Sequence, residues 1–200
     1  MKRLIVLSVI ILSMIMFSCA TFSKNGFRKK VDKLEETDIT KINGDYSFYP
    51  LKRYIRDKSP NNDIPDSLRS NNAYDFLMNE NYQKRKEFDS LRKPENKYQV
   101  RLNLIDKKNL KIEVLENLVK IKDTLLKGKY KKGMFYLDNK FLECHGVPYI
   151  FGGCNNNKRR IGLTKNGNLL VNEAIDNSGA LLLIIGAGYS YNITYEYERN

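Results

Sequence analysis

Residues 144–154 read CHGVPYIFGGC and bring the chain's single histidine, His145, together with two of its three cysteines, Cys144 and Cys154. Three kinds of chemistry start from such residues: metal ligation, a thiol nucleophile with an imidazole base, or a disulfide. Neighbours on an extended strand point to opposite faces, so Cys144 and His145 cannot share one ion or one proton without a sharp turn at Gly146. Structural zinc needs four ligands at close spacings such as Cys-x-x-Cys, and one histidine with cysteines ten apart does not supply them. The reading is therefore of no metal, no cofactor and no catalytic residue. A disulfide between Cys144 and Cys154 requires the intervening chain to double back, because ten extended residues span about 33 Å and bridged α-carbons lie within about 7 Å. Gly146, Pro148, Gly152 and Gly153 supply places for a bend, while Tyr149-Ile150-Phe151 reads as strand. The expectation is two strand ends joined by a Gly152-Gly153 bend with the cysteines unpaired, the disulfide standing as the alternative.

The third cysteine stands in a different context. MKRLIVLSVIILSMIMFSCA opens the chain with two cations and an apolar run from Leu4 to Phe17, too short to span a bilayer comfortably and suited to a secretory signal. Ser18-Cys19 after this run resembles the acylation site of a bacterial lipoprotein signal, with residues 1–18 the signal and Cys19 the lipidated first residue of the mature chain. The resemblance implies palmitate-type acylation and an envelope protein anchored in a membrane through its N-terminal lipid. Two acyl chains suffice for stable anchoring. With no Asp at position 20, the pattern is similar to that of lipoproteins sent to the outer membrane, facing the periplasm.

The net charge is +12, falling to +10 once Lys2 and Arg3 leave with the signal. Residues 101–133 hold ten Lys or Arg against four acids, including KGKYKK at 127–132. A basic face can meet nucleic acid or anionic lipid. Export excludes nucleic acid as a partner, and a solvated outer face is the plainer reading.

Residues 19–41 show no sustained apolar period and read as the lipidated N-terminus and a flexible tether, so the folded domain is placed at 42–200. INGDYSFYP at 42–50 alternates and stops at Pro50, a first strand. Residues 51–97 are charged, Asn-rich and punctuated by prolines; Tyr74, Leu77, Met78, Phe88 and Leu91 fall at helical spacings, which makes this a partly helical excursion. From Tyr98 the period is two: YQVRLNLI, LKIEVLE, LVKIKDTLLKGKY, MFYLD, FLECHGVPYIFGG, RRIGLT, NLLVNEAI, ALLLIIGAG and YSYNITYEY, with short polar turns between them. Asn166-Gly167 is the clearest hairpin signal. Strands linked by hairpins are antiparallel, and a long meander removes its exposed edges by closing, last strand beside first. The fold class expected is all-β: an antiparallel up-and-down barrel of about 8 to 10 strands with a helical insertion after the first.

The order of INGDYSF, a helical excursion, hairpins, and a final aromatic strand resembles the lipocalin-like lipoproteins of Bacteroidota over roughly residues 42–198. Gly44-Asp45-Tyr46 stands where true lipocalins carry Gly-x-Trp, and the chain has no tryptophan. The resemblance implies a non-catalytic barrel that binds a small hydrophobic or amphipathic ligand. Tyr189, Tyr191, Tyr195 and Tyr197 share one face of the last strand and would either line that cavity or fill the core. A filled interior would instead make the domain a structural or interaction module meeting an envelope protein partner.

Overall fold

A computed structural model describes residues 20–22, 26–55, 71–80, 82–147, 151–181 and 185–200. Cys19 and the expected signal, residues 1–18, lie outside the described residues. The fold is a ten-stranded antiparallel sheet: β1 (Gly44–Ser47), β2 (Lys52–Ile55), β3 (Tyr98–Leu104), β4 (Asn109–Glu116), β5 (Val119–Lys131), β6 (Met134–Leu137), β7 (Phe141–Val147), β8 (Phe151–Leu163), β9 (Leu169–Leu181) and β10 (Ile185–Tyr197). The strands run β1-β3-β4-β5-β6-β8-β9-β10-β2 around the sheet, with β7 on the upper half of the β8 edge that β6 occupies below. The all-β barrel class and its meander connectivity follow the alternation in the sequence.

Closure differs in detail from a simple pairing of first and last strands. Tyr49-Pro50-Leu51 breaks the first strand in two. Its first half pairs β3 (Tyr46↔Val100), its second half pairs β10 (Arg53↔Tyr195). The C-terminal tail completes the seam: Ser47 N donates to Glu198 O, Leu51 N to Glu196 O and Asn200 N to Asp45 O. Arg199 donates to the carbonyls of Lys41 and Asn43 and lies 5.7 Å over the ring of Tyr46. Tyr46 is fully buried, and burial pushes its hydroxyl up to about 12.

On the far side of the barrel, β5 leaves β4 after Lys127 and joins β6 from Gly128. A β-carbon at Gly128 would stand 2.4 Å from Phe135 Cε1 and 2.5 Å from the Tyr136 carbonyl, so the corner accepts only glycine. One continuous core fills the interior, drawn from Ile42, Tyr46, Val100, Leu102, Ile112, Phe135, Ile161, Val171, Tyr195 and Tyr197 among others. The lower end is plugged by a 3-10 helix, Glu36–Ile42, through Ile39 and Ile42. The upper end carries α2 (Ala73–Met78) and α3 (Tyr82–Leu91). Asn72 caps α2 by accepting from Asp75 N at 2.9 Å. Tyr74 and Leu77 are buried and Phe88 is half-buried against the core, whereas Leu91 points outward at 73% exposure. The excursion thus starts later than expected, since β2 occupies residues 52–55.

Two further expectations are corrected. The polar stretches NNNK and DNSG are interior to strands, so β8, β9 and β10 each run 13 residues. Ladder hydrogen bonding on both sides holds residues 155–157 and DNSG extended where no apolar alternation marks the strand, while the upper part of β10 pairs with β9. The expected tether is packed. Helix α1 (Gly26–Lys30) and the residues after it lie on the outer face of the sheet, with Phe27, Val31, Met134 and Leu170 forming a second core and Leu34 reaching the main one. Arg160 holds this strap: its guanidinium lies 4.4 Å from the Phe22 ring and 4.5 Å from the Phe27 ring while Nε donates to Asn172 Oδ1 at 2.9 Å. Asp32 N also donates to Leu163 O.

Phe27→Ala is therefore expected to lower unfolding free energy by about 3 kcal/mol in urea melts. A chain ending at Glu196 loses Tyr197 and the tail hydrogen bonds, and should lose at least as much. Melts matching the parent would mean that the strap or the seam is peripheral.

Candidate functional site

Side chains on the inner face of β10 alternate from Tyr189 through Tyr191, Ile193 and Tyr195 to Tyr197, so the structure keeps the predicted tyrosines on one face. It gives them different surroundings. Tyr195 and Tyr197 are 1% and 0% exposed and belong to the core, Tyr191 is half-buried, and Tyr189 is 53% exposed. The strand outruns the barrel body, and its upper part forms a wall with β7, β8 and β9. Tyr189 and Tyr191 stack on this wall with ring centroids 5.7 Å apart. Tyr195 meets Phe76 of α2 edge-on at 4.8 Å and its hydroxyl accepts from Asn71, whose carbonyl accepts from Tyr197. Burial raises the Tyr195 hydroxyl to about 12 and the Tyr197 hydroxyl well above its ordinary value.

Between the core and the wall lies a polar layer. Arg159 and Glu173 are direct cross-strand partners on the inner faces of β8 and β9, and Arg159 Nη2 donates to Glu173 Oε1. Arg159 is 2% exposed, with its guanidinium 5.3 Å over the ring of Phe76, and Nε and Nη1 have no acceptor. Burial lowers the guanidinium to about 10 and raises the Glu173 carboxyl, which Arg159 and Arg85 pull the other way. Arg53 approaches Tyr195 from β2 and also has a buried Nε without an acceptor. Neighbouring Arg160 points outward to the strap, so consecutive arginines are buried on opposite faces of one strand. The ordered alternation Arg159, Ile161, Leu163 opposite Glu173, Val171, Leu169 was the available sequence signal for this layer, and composition-level counting of cations missed it.

The disulfide is formed. Cys144 and Cys154 are opposed on β7 and β8 with α-carbons 4.0 Å apart. Gly152 and Gly153 lie within β8 instead of bending the chain, which overturns the unpaired reading: the hairpin reverses between Val147 and Phe151, earlier than the Gly-Gly pair. His145 pairs with Glu143 at 2.9 Å on the exposed part of β7. Among the described residues no group of His, Cys, Asp or Glu could hold a metal ion, and no helix is long and apolar enough to cross a membrane. Lys127, Lys129 and Lys131 are exposed on β5. Cavities lined by described residues include one of about 360 Å³ at Lys97, Gln99, Asn117 and Leu118, one of about 250 Å³ at Arg28, Val31, Lys33, Lys132 and Met134, and one of about 190 Å³ at Asp32, Leu163, Lys165 and Arg199. Comparison with protein-family models, with curated proteins and with solved structures finds no match.

Removing one partner of a buried ion pair strands the other. Arg159→Met should cost about 3 to 5 kcal/mol, and Arg159→Met with Glu173→Leu should recover most of it. The sign of the pH dependence is fixed by Glu173. A carboxyl whose folded pKa is raised binds its proton more tightly in the folded chain, so stability is greatest below its unfolded value near 4.5 and is lost as pH rises through the folded one. The deficit of Arg159→Met, read by urea melts, should be smaller near pH 4 than near pH 8. A pH-independent deficit would mean that Glu173 does not titrate against this pair.

Proposed function

We propose that this protein is a non-catalytic, lipid-anchored envelope protein whose barrel is a filled, rigid scaffold presenting an interaction surface to an envelope partner. The observation that supports this reading is the continuous side-chain core from the 3-10 plug to the Arg159–Glu173 layer, with Tyr195 and Tyr197 inside it. A container for a whole hydrophobic ligand needs that volume empty.

Anchoring rests on the lipoprotein-like run ending at Ser18-Cys19. The outer membrane facing the periplasm is the location that pattern favours. The packed strap refines the picture: Ala20 is 0% exposed and Asn192 donates to the Thr21 carbonyl, so an acylated Cys19 would hold the barrel close to the bilayer with little slack.

A second reading is supported by a separate observation. Among the described residues, cover over the inner wall thins above the polar layer, with Ile175, Tyr191 and Ile193 half-buried and Tyr189 exposed. A small amphipathic ligand could lie there without entering the core.

The anchoring claim is tested by radiolabelled palmitate in a bacterial host: the parent should incorporate label and fractionate with membranes, and Cys19→Ala should do neither. Equal labelling of the variant would remove the lipoprotein reading, while leaving the fold untouched.

A further inference from the structure

We propose that the polar layer at the foot of the upper wall binds an oxyanion, a carboxylate or a phosphate, carried by a small amphiphile whose apolar part lies along the wall above. The inference rests on the small-ligand reading and names the chemistry of its head group.

Three observations carry it. Arg159 is almost fully buried, yet one nitrogen alone has an acceptor; Nε and Nη1 have none. Buried donors without partners are rare in native structures, and a guanidinium offers five in a fixed plane that suits carboxylate and phosphate oxygens. The second observation is the charge around it. Arg85 and Arg159 both act on Glu173, Arg53 approaches Tyr195 on the same wall, and Arg53 Nε likewise lacks an acceptor. The carboxylate acting on this group is Glu173, already held by Arg159; the nearby Asp75 accepts from Asn72 and lies under the influence of Arg85, Lys122 and Arg92. Positive charge exceeds negative in a place shielded from water, where a charge-assisted hydrogen bond is strongest.

The third observation is direction. Exposure rises upward along each inner face, from buried Val171 and Glu173 to half-buried Ile175 on β9, and from buried Tyr195 through half-buried Tyr191 to exposed Tyr189 on β10. Ile55, which pairs with Ile193 at the wall's edge, is 39% exposed. A head group seated at Arg159 would leave its tail against Ile175, Tyr191, Ile193 and Ile55. The filled core below blocks deeper entry, so the ligand is short or projects out of the barrel.

The test uses the full chain in nonionic detergent, with four probes: inorganic phosphate, carboxyl-labelled [1-13C]decanoate, decyl phosphate and uncharged 1-decanol. Binding is followed by 13C and 31P NMR titration. Arg159→Met with Glu173→Gln removes the guanidinium without stranding a charge, and Arg53→Met alters the wall outside that pair; both are checked for folding by circular dichroism and serve as controls for uptake by micelles. The expected result is saturable binding of decanoate and decyl phosphate at one site per chain, weakened at least tenfold by the double substitution and severalfold by Arg53→Met, with decanol failing to compete. Saturation by inorganic phosphate as tightly as by decyl phosphate would support the oxyanion site and overturn its amphiphile. Equal binding of decanol and decanoate, unaffected by either variant, would overturn the oxyanion while sparing the small-ligand reading. Binding of no probe at millimolar concentration would overturn both and leave the filled scaffold.

Discussion

The structure depends on one backbone constraint, the break at Tyr49-Pro50-Leu51 that lets a single chain segment close both ends of the sheet. Proline has no N–H to give a ladder and cannot sit inside a central strand. With the break, β1 serves β3 and β2 serves β10, and the tail from Glu196 to Asn200 spans the gap with three backbone hydrogen bonds. Without it, the sheet would have two long open edges around an apolar interior, an arrangement prone to pairing with other chains. Arg199 ties the seam to the lower plug by holding the Lys41 and Asn43 carbonyls across Tyr46. Closure, core and plug therefore form one cooperative unit.

A second consequence follows for the strands opposite the seam's core side. Because residues 20–22 and 26–34 lie against the outside of the sheet, its strands are buried on both faces for part of their length, and Thr194, Glu196 and Asn172 become interior groups. Each is partnered: Tyr54 and Asn168 donate to Glu196, and Asn172 donates to Thr194. The strap's own polar ties to the sheet include Asn192 Nδ2 donating to the Thr21 carbonyl and Asp32 N donating to the Leu163 carbonyl, beside the packing of Phe27 and Val31.

How much of this the sequence showed depends on whether a segment's packing is periodic. The runs 98–105 and 110–116 alternate because one face meets the core, and their strands, register and hairpin were legible. Asn166-Gly167 marked its turn for a local reason: Gly167 adopts φ +85°. NNNK and DNSG were read as breaks because the upper wall has no core against which to alternate, so ladder bonds alone keep it extended. The strap was read as a tether because its apolar residues are few and set among charged ones: Phe27, Val31 and Leu34 are spaced as on a helix, but the helix ends at Lys30, and Phe27 and Val31 join the outer core while Leu34 reaches the main one. The Arg159–Glu173 pair was hidden for the opposite reason: charged residues occupied inward positions, and charge was taken as a sign of solvent. The disulfide was open to either reading, since spacing fixes how far cysteines can be apart and not where the chain reverses.

The disulfide joins β7 to β8 in the part of the sheet that lies beyond the core. Among the described residues β7 pairs with β8 alone, and its Leu142 and His145 are exposed, so no described core side chain holds this corner of the wall. Cross-linking a loop of about eleven residues constrains the unfolded chain by roughly 3 kcal/mol, and a strand pair without a hydrophobic face is where that constraint matters most. A barrel that only needed to be stable could end at its core, with apolar side chains in place of Arg159 and Glu173, since replacing a buried ion pair by packed hydrocarbon is often neutral or favourable. This chain instead continues three strands well past the core, floors them with a charged layer and braces their free corner covalently. Each of those features is dispensable for closing the sheet, and together they tie the part of β8 and β9 beyond the core to its neighbours, by strand pairing, by an ion pair at its foot and by a covalent bond at its corner.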